Sequence, residues 1–291
     1  MQLKKLMEQY KGELINARVA KLTGYDESTI SLIIRGKYSG NTSEIEADIV
    51  NKLSEHGYRL QEKNFRVRAD VFIQTSNVRK FNSLCDELSE GDLTSSFGVV
   101  VGTAGRGKTK AAVHYAVNNP DAVYVQFITG FSLTDVSREI AYELNGIRPF
   151  RFRDCLMEIE KATRSKRKII LIDEADKMHL QSVEMLRGLN ERCLCPIVLI
   201  GEEAVVRYMD RERRLKSRVR QTVAFEEITL SDVSAYFRLA AGIDLDAECA
   251  KAIWKRSGGD FRYVVRDAHS IVRIMNTSNQ HVVTMDIVRV L

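Results

Sequence analysis

Phe97-Gly98-Val99-Val100-Val101-Gly102-Thr103-Ala104-Gly105-Arg106-Gly107-Lys108-Thr109 carries the strongest signal in the chain. Residues 97–101 form a continuous apolar run, as a fully buried strand does. Gly102 to Thr109 then matches G-x-x-x-x-G-K-[ST], and a helical pattern follows over residues 110–117. Glycine lets the backbone curl so that successive N–H groups point at phosphate oxygens, and the following helix adds its positive N-terminal end. Lys108 is expected to reach the β- and γ-phosphates of a nucleotide and Thr109 to hold Mg²⁺. Gly102, Thr103, Ala104, Gly105, Arg106, Gly107, Lys108, Thr109 and Lys110 are the expected nucleotide-binding set.

Further short apolar runs follow at residues 122–128, 169–172 and 197–200, with a possible fifth strand over 221–225. Helical patterns separate most of them. Buried strands alternating with helices predict a parallel sheet covered on both faces, an α/β fold. At the C-terminal end of the run Ile169-Ile170-Leu171-Ile172 stand Asp173 and Glu174. Ligands sit at that end of open α/β sheets. Asp173 is expected to bind Mg²⁺, directly or through water, and Glu174 to polarise the attacking water. From about residue 228 the strands stop. Residues 230–240, 246–256 and 262–274 read as amphipathic helices.

A phosphate loop, an extra strand before the Asp-Glu pair and a glutamate beside the metal aspartate resemble the AAA+ ATPases, over roughly residues 75–275. The resemblance implies a five-stranded parallel P-loop sheet with a helical lid, and ATP with Mg²⁺ as ligands. Arg213-Arg214-Leu215-Lys216-Ser217-Arg218-Val219 resembles the segment that carries the arginine finger, with Arg218 as the finger that stabilises transition-state charge in a neighbouring subunit. Gly258-Gly259-Asp260-Phe261-Arg262 resembles the start of the sensor-2 helix, with Arg262 facing the nucleotide. One departure stands at the sensor-1 position, which is usually Asn, Thr or Ser. Here the strand runs into Gly201-Glu202-Glu203. A carboxylate repels a γ-phosphate unless it is protonated or shares a cation. Either hydrolysis is slow, or the equivalent position lies a few residues away.

Before residue 65 the pattern is helical: Leu14, Ile15, Val19 and Leu22, then Ile30, Ile33 and Ile34, then Ile45, Ile49 and Leu53. Gly24 divides the first two runs. Residues 17–36 resemble a repressor-type helix-turn-helix. Ser28 to Arg35 is then the recognition helix, with Glu27, Ser28, Thr29 and Ser31 toward the groove and Arg35, Lys37 and Tyr38 on phosphate. Residues 1–64 hold 10 Lys+Arg against 9 Asp+Glu, too little excess for tight autonomous DNA binding. A linker is expected over residues 61–64. A connecting strand or loop and a helix around 78–88 follow it. The expected domains are 1–64, a helix-turn-helix DNA-binding unit; 65–227, an ATPase core; and 228–291, a helical lid.

The formal charge of the 291 residues is +5, and its distribution says more than its size. Residues 148–168 hold 8 Lys+Arg against 3 Asp+Glu, and residues 204–220 hold 7 against 2. In the first cluster Arg148, Arg151 and Arg153 surround Pro149 in an expected loop and are candidates for DNA backbone contact. Arg164, Lys166, Arg167 and Lys168 also suit a solvated helix C-terminus. Phe150 and Phe152 alternate with the arginines, free either to stack or to enter the core.

With 44% hydrophobic residues the chain is not disordered, and it has no Gly-X-Y period. No apolar run approaches the roughly 18 residues of a membrane span, and the N-terminus lacks the features of a secretory signal. Five scattered cysteines suit a reducing, cytoplasmic compartment. Helix-turn-helix, ATPase and helical end in this order resemble the phage Mu B family of transposition proteins. That resemblance implies an ATP-dependent filament of this chain on double-stranded DNA, delivering target DNA to a transposase or integrase in a bacterial or phage-infected cell, with no membrane partner. Helicase loading or replication initiation by the same ATPase type, and an ATP-sensing DNA regulator without significant turnover, are the rival readings.

Overall fold

The computed structural model describes residues 2–59, 64–90 and 96–291, with all of their side chains except those of Ser165 and Arg211. The chain divides into two compact units, residues 1–64 and 65–291. Of the expected linker, residues 61–63 lie outside the described residues.

The first unit holds four helices: α1 (Gln2–Gln9), α2 (Asn16–Thr23), α3 (Glu27–Ile34) and α4 (Thr42–Glu55). Leu3, Leu6, Leu14, Val19, Ile30, Ile33, Ile49 and Leu53 form its core. Gly24 stops α2 in the left-handed conformation (φ 78°), with its N–H donating to Ala20 O. Only residues 24–26 separate α2 from α3.

The second unit is built on five strands: β1 (Phe97–Val101), β2 (Ala122–Gln126), β3 (Ile169–Asp173), β4 (Ile197–Gly201) and β5 (Val219–Ala224). They form one parallel sheet in the order β2-β3-β4-β1-β5. Alternation along the strands supplies both faces. Val99, Val101, Ile170 and Ile172 enter one core with α7 (Leu133–Asn145), α8 (Phe152–Ser165), α9 (Leu180–Cys193) and α10 (Ala204–Arg211). Val100, Ile169 and Leu171 enter the other with α5 (Ser76–Glu90) and α6 (Lys108–Asn118). Each such side chain taken fully out of water contributes about 1.5–3 kcal/mol, so the strands tolerate few polar residues. The strand expected over 122–128 ends at Gln126, where the chain turns away after Phe127 N–H donates to Asp173 O. The fifth strand starts earlier than expected, at Val219, because a bulge opposite Phe97/Gly98 admits Arg220 as an extra residue.

After a short helix α11 (Arg213–Lys216) and β5, the chain is helical: α12 (Leu230–Tyr236), a wider turn over Phe237–Ala241, α13 (Ala247–Ser257), α14 (Phe261–Ser278) and α15 (Met285–Arg289). These share a separate core, and Phe65, Val67, Val71 and Ile73 pack against it. The segment after residue 64, expected as a connecting strand or loop, is a loop bound to this helical end. Phe65 exchanges two hydrogen bonds with the Asn276 amide, and Arg68 N–H donates to Ala240 O. No helix among the described residues is long and apolar enough to cross a membrane. All five cysteines are free thiols.

Candidate nucleotide site

Because β4 lies between β1 and β3, three loops meet at the C-terminal ends of adjacent strands. The loop after β1 is the glycine-rich one. Gly107 is the N-cap of α6 at φ 92°, a conformation side-chain-bearing residues avoid, and it aims the start of α6 into the loop. Lys108 begins α6 and donates Nζ hydrogen bonds back to Gly102 O and, at 2.9 Å, Thr103 O. Half-burial pushes its pKa below the ordinary lysine value. The carboxylates of Glu202, Asp173, Asp176 and Glu174 pull it the other way. Thr109 and Lys110 are exposed in the first turn of the helix.

Asp173 ends β3 and is only 2% exposed. Both of its oxygens are held. Oδ1 accepts the Glu174 N–H at 2.9 Å and Oδ2 accepts the Tyr124 hydroxyl at 2.9 Å. Tyr124 belongs to β2, which pairs with β3 and places residue 124 opposite Leu171. Glu174 stands at φ 58°, one of three non-glycine residues with positive φ among those described. A left-handed glutamate costs roughly 1–2 kcal/mol, and such strain concentrates at functional sites. Its Oε2 pairs with Lys177 Nζ at 2.7 Å.

Asp176 joins the second and third loops. Its Oδ1 accepts the Glu202 N–H at 3.1 Å. The carboxyl lies so close over Gly201 that a Cβ there would fall 2.4 Å from Oδ1, so only glycine fits at the end of β4. Glu202 itself is exposed, and it is the leading carboxylate acting on Lys108. The acidic residue expected at the sensor-1 position thus follows the strand that pairs with β1, and its charge favours the protonated form of the phosphate-loop lysine.

The lid reaches the same loop. Phe261 N–H donates to Gly105 O at 2.9 Å, and the Asp260 carboxyl lies against Gly105. Arg106 bridges outward, with Nε on Thr103 Oγ1 at 3.0 Å, one guanidinium nitrogen on Gly259 O, and the other on Glu227 Oε1 at 3.0 Å. Arg262 follows Phe261 in the first turn of α14; it is exposed, and no ion-pair partner is present for it among the described residues. Arg218 stands elsewhere. It precedes β5 at the N-terminal end of the sheet, where Phe97 N–H donates to its carbonyl and its guanidinium pairs with Glu191. The length of β1, roughly 15 Å at 3.3 Å per residue, separates that end from the chain's own phosphate loop.

Among the described residues no group of three or more His, Cys, Asp or Glu side chains could hold a metal by itself. Asp173 and the Thr109 hydroxyl are hard oxygen donors that would suit Mg²⁺ instead. That is the donor set Mg²⁺ takes when water and phosphate oxygens complete its shell. Sequence reasoning missed Tyr124, Asp176 and Lys177. A tyrosine inside a buried strand was the available signal, since a buried phenol hydroxyl needs a partner. Tyr124→Phe leaves Asp173 Oδ2 buried without that partner, which costs about 1–3 kcal/mol of stability in chemical denaturation. The Mg²⁺ concentration for half-maximal turnover should rise about tenfold, as for lost outer-shell partners generally. Nucleotide affinity measured in a chelator should hold; a fall there would make Tyr124 part of the nucleotide pocket itself.

In the first unit, Ser28 is exposed at the start of α3, Thr29 and Ser31 are half-buried, and Arg35 and Lys37 are exposed after it. Tyr38 packs against the core. Between α7 and α8, Arg148 pairs with Glu139 at 3.0 Å and stacks on Tyr142, its guanidinium carbon 4.1 Å from the ring centroid. Arg151 and Arg153 are exposed without ion-pair partners among the described residues, and Phe152 is half-buried.

An AAA domain model matches residues 92–209. The Mu-like prophage FluMu DNA transposition protein B of Haemophilus influenzae is 25% identical over 265 residues, spanning 87% of this chain and 90% of that one. The ATP-dependent target DNA activator B of Escherichia phage Mu is 26% identical over 226 residues, 75% of this chain and 70% of that one. Among solved structures, the Aeropyrum pernix ORC1 protein in complex with DNA superposes with a TM-score of 0.56 at 18% identity, covering 76% of this chain and 65% of that one, just under two thirds of its length. The Thermotoga maritima RuvB Holliday junction branch migration motor superposes at 0.51 with 18% identity, covering 79% and 72%.

Proposed function

We propose that this chain is a Mu B-type AAA transposition protein, an ATP-hydrolysing, DNA-binding protein that prepares target DNA for a transposase or integrase. The observation that carries this reading is the likeness to transposition protein B through 87% of the chain, well beyond the AAA segment.

On this reading the loop amides and Lys108 bind the β- and γ-phosphates of ATP. Thr109 and Asp173 would hold Mg²⁺, which would supply positive charge to offset that of the phosphates. Glu174 leaves Lys177 to accept a proton as water attacks the γ-phosphorus and the bond to the β-phosphate oxygen breaks. Arg262 and the Arg106 bridge tie the lid to the bound nucleotide. Arg218, a strand length from its own loop, serves the site of an adjacent copy, so ATP binding promotes a homo-oligomer or filament on duplex DNA and hydrolysis loosens it. Ser28, Thr29, Ser31, Arg35 and Lys37 of the first unit, and Arg148, Arg151 and Arg153 of the second, contact that DNA. Of the three arginines, Arg151 and Arg153 are the freer, since Arg148 is already paired.

The test is turnover with and without duplex DNA, together with electron microscopy of protein, ATP and DNA. Arg218→Ala should lose DNA-stimulated turnover about 10³-fold, the low end for a finger supplied in trans. Mixing it with Glu174→Gln, which keeps Arg218, should restore part of the rate. Unimpaired turnover in Arg218→Ala, or isolated monomers on DNA, would contradict subunit-completed sites. One observation favours a second reading. Glu202 follows β4, the strand beside the one that leads into the phosphate loop, and its carboxylate opposes an incoming γ-phosphate, as suits an ATP-sensing regulator with little turnover. A basal rate that DNA does not raise would select it.

A further inference from the structure

Residues 146–151 connect α7 to α8, and Phe150 within them is 88% exposed, more than any other large apolar side chain among the described residues. A phenyl ring left in water forgoes about 1.5–3 kcal/mol of burial, so an outward ring on a tightly held backbone calls for a partner. The backbone is tightly held. Arg138 of α7 donates Nε to Pro149 O at 2.9 Å and a guanidinium N–H to Phe150 O at 3.0 Å, pairs with Asp135 Oδ1 at 3.1 Å, and has its guanidinium carbon 6.0 Å from the Phe150 ring centroid, leaving most of the ring open to solvent. Asp135 is itself fixed in the capping box with Ser132 that starts α7. Pro149 restricts the preceding backbone, and the Cys155 thiol approaches Pro149 O from α8. The ring is thus presented by a braced turn.

Its surroundings are cationic. Arg151 and Arg153 follow it, exposed and without ion-pair partners among the described residues, and Arg148 precedes it. A protein groove is met by a contiguous apolar face. Phe150 projects with free guanidinium groups beside it, which fits a surface alternating charge with flat apolar edges. Duplex DNA has that pattern, with phosphates outside and stacked bases between them, and apolar wedges flanked by cations are how proteins unstack a base step. We propose that Phe150 inserts between base pairs of duplex DNA while Arg151 and Arg153 hold the neighbouring phosphates. The proposal rests on the DNA-binding reading above.

The experiment uses the full chain with a non-hydrolysable ATP analogue. It measures duplex affinity across a salt series and the linking-number change left in closed-circular DNA after relaxation by a topoisomerase. Phe150→Ala should weaken binding about tenfold at every salt concentration, within the range for a lost base–aromatic stack. The salt slope should not move, because no cation is removed, and the linking-number change should be lost. Arg151→Ala should instead lower the slope by about 1. Phe150→Trp, which keeps a ring, should restore both affinity and linking-number change. Thermal unfolding should find Phe150→Ala folded, since the side chain has little to lose. Wild-type affinity and linking-number change in Phe150→Ala would overturn the wedge, and loss of transposase binding in that variant would reassign the ring to a protein contact. If the unaltered protein bound no duplex at all, the DNA-binding reading would fall first, so the two failures are distinct.

Discussion

Glu174→Gln should lower ATP turnover about 10²–10⁴-fold while ATP binding persists, the loss expected when a general base is removed and the pocket is left in place. Three features set the size of the effect. Glu174 follows the buried Asp173, so its position is tied to the metal ligand through the hydrogen bond from its own N–H to Asp173 Oδ1. It is held at φ 58°, and the glutamine variant keeps that backbone, so the change is in proton affinity alone. Its carboxylate pairs with Lys177, a partner glutamine can keep through its amide oxygen. The variant should therefore unfold at a denaturant concentration near that of the parent protein. Because ATP still binds, DNA complexes made with ATP should become long-lived. Single-turnover hydrolysis and dissociation of labelled duplex measure both. A variant that hydrolyses at the parent rate would remove Glu174 from the chemistry and leave another group to activate water.

The second large effect is on binding. Lys108→Ala should reduce ATP affinity on the order of 10²–10³-fold, comparable to removing one preorganised electrostatic donor from an enclosed site. Four carboxylates, Glu202, Asp173, Asp176 and Glu174, favour the charged form of this lysine. Without it the site loses a cation that offsets those acids, and a nucleotide polyanion is held less tightly. DNA binding should then lose its dependence on ATP, falling to the level seen without nucleotide. Titration of a fluorescent ATP analogue, with and without Mg²⁺, tests this. Retained affinity in the variant would mean that the backbone amides alone carry the phosphates. A companion change, Glu202→Gln, removes the acid nearest the lysine in effect and should tighten ATP binding. If it does not, the carboxylate at the end of β4 does not oppose the γ-phosphate.

The elements that were legible in advance are those encoded by neighbours in the chain. The run Phe97–Val101 followed by Gly102–Thr109 announces strand, loop and helix together, because buried strands need unbroken apolar residues and a phosphate loop needs glycine. Ile169–Ile172 followed by Asp173 and Glu174 is legible for the same reason. The strand ends were less so. The extension of β5 to Val219 depends on a bulge against β1, a property of two strands at once. The loop after residue 64 carries alternating apolar residues, Phe65, Val67, Val71 and Ile73, yet no local pattern says that they cover helices about 200 residues later.

What the sequence by itself determined is the chemistry present and the local form of each element: a phosphate loop, an acidic pair ending a strand, four further buried runs and three helical segments. The tertiary structure alone decided which of these meet. Sheet order is not a local property, and placing β4 between β1 and β3 puts the loops that hold Glu202 and Lys108 at the ends of adjacent strands and lets Asp176 cross to Gly201. Pairing β2 with β3 brings the Tyr124 hydroxyl to Asp173. The same order leaves Arg218 at the far end of the strand that carries the loop. Phe150 and Phe152 read alike in the chain, yet in the fold one lies exposed on the turn held by Arg138 and the other, the first residue of α8, is half-buried. Side-chain type and spacing are written along the backbone, whereas a hydrogen bond between residues 49 positions apart exists only after hydrophobic burial has chosen which strands lie side by side.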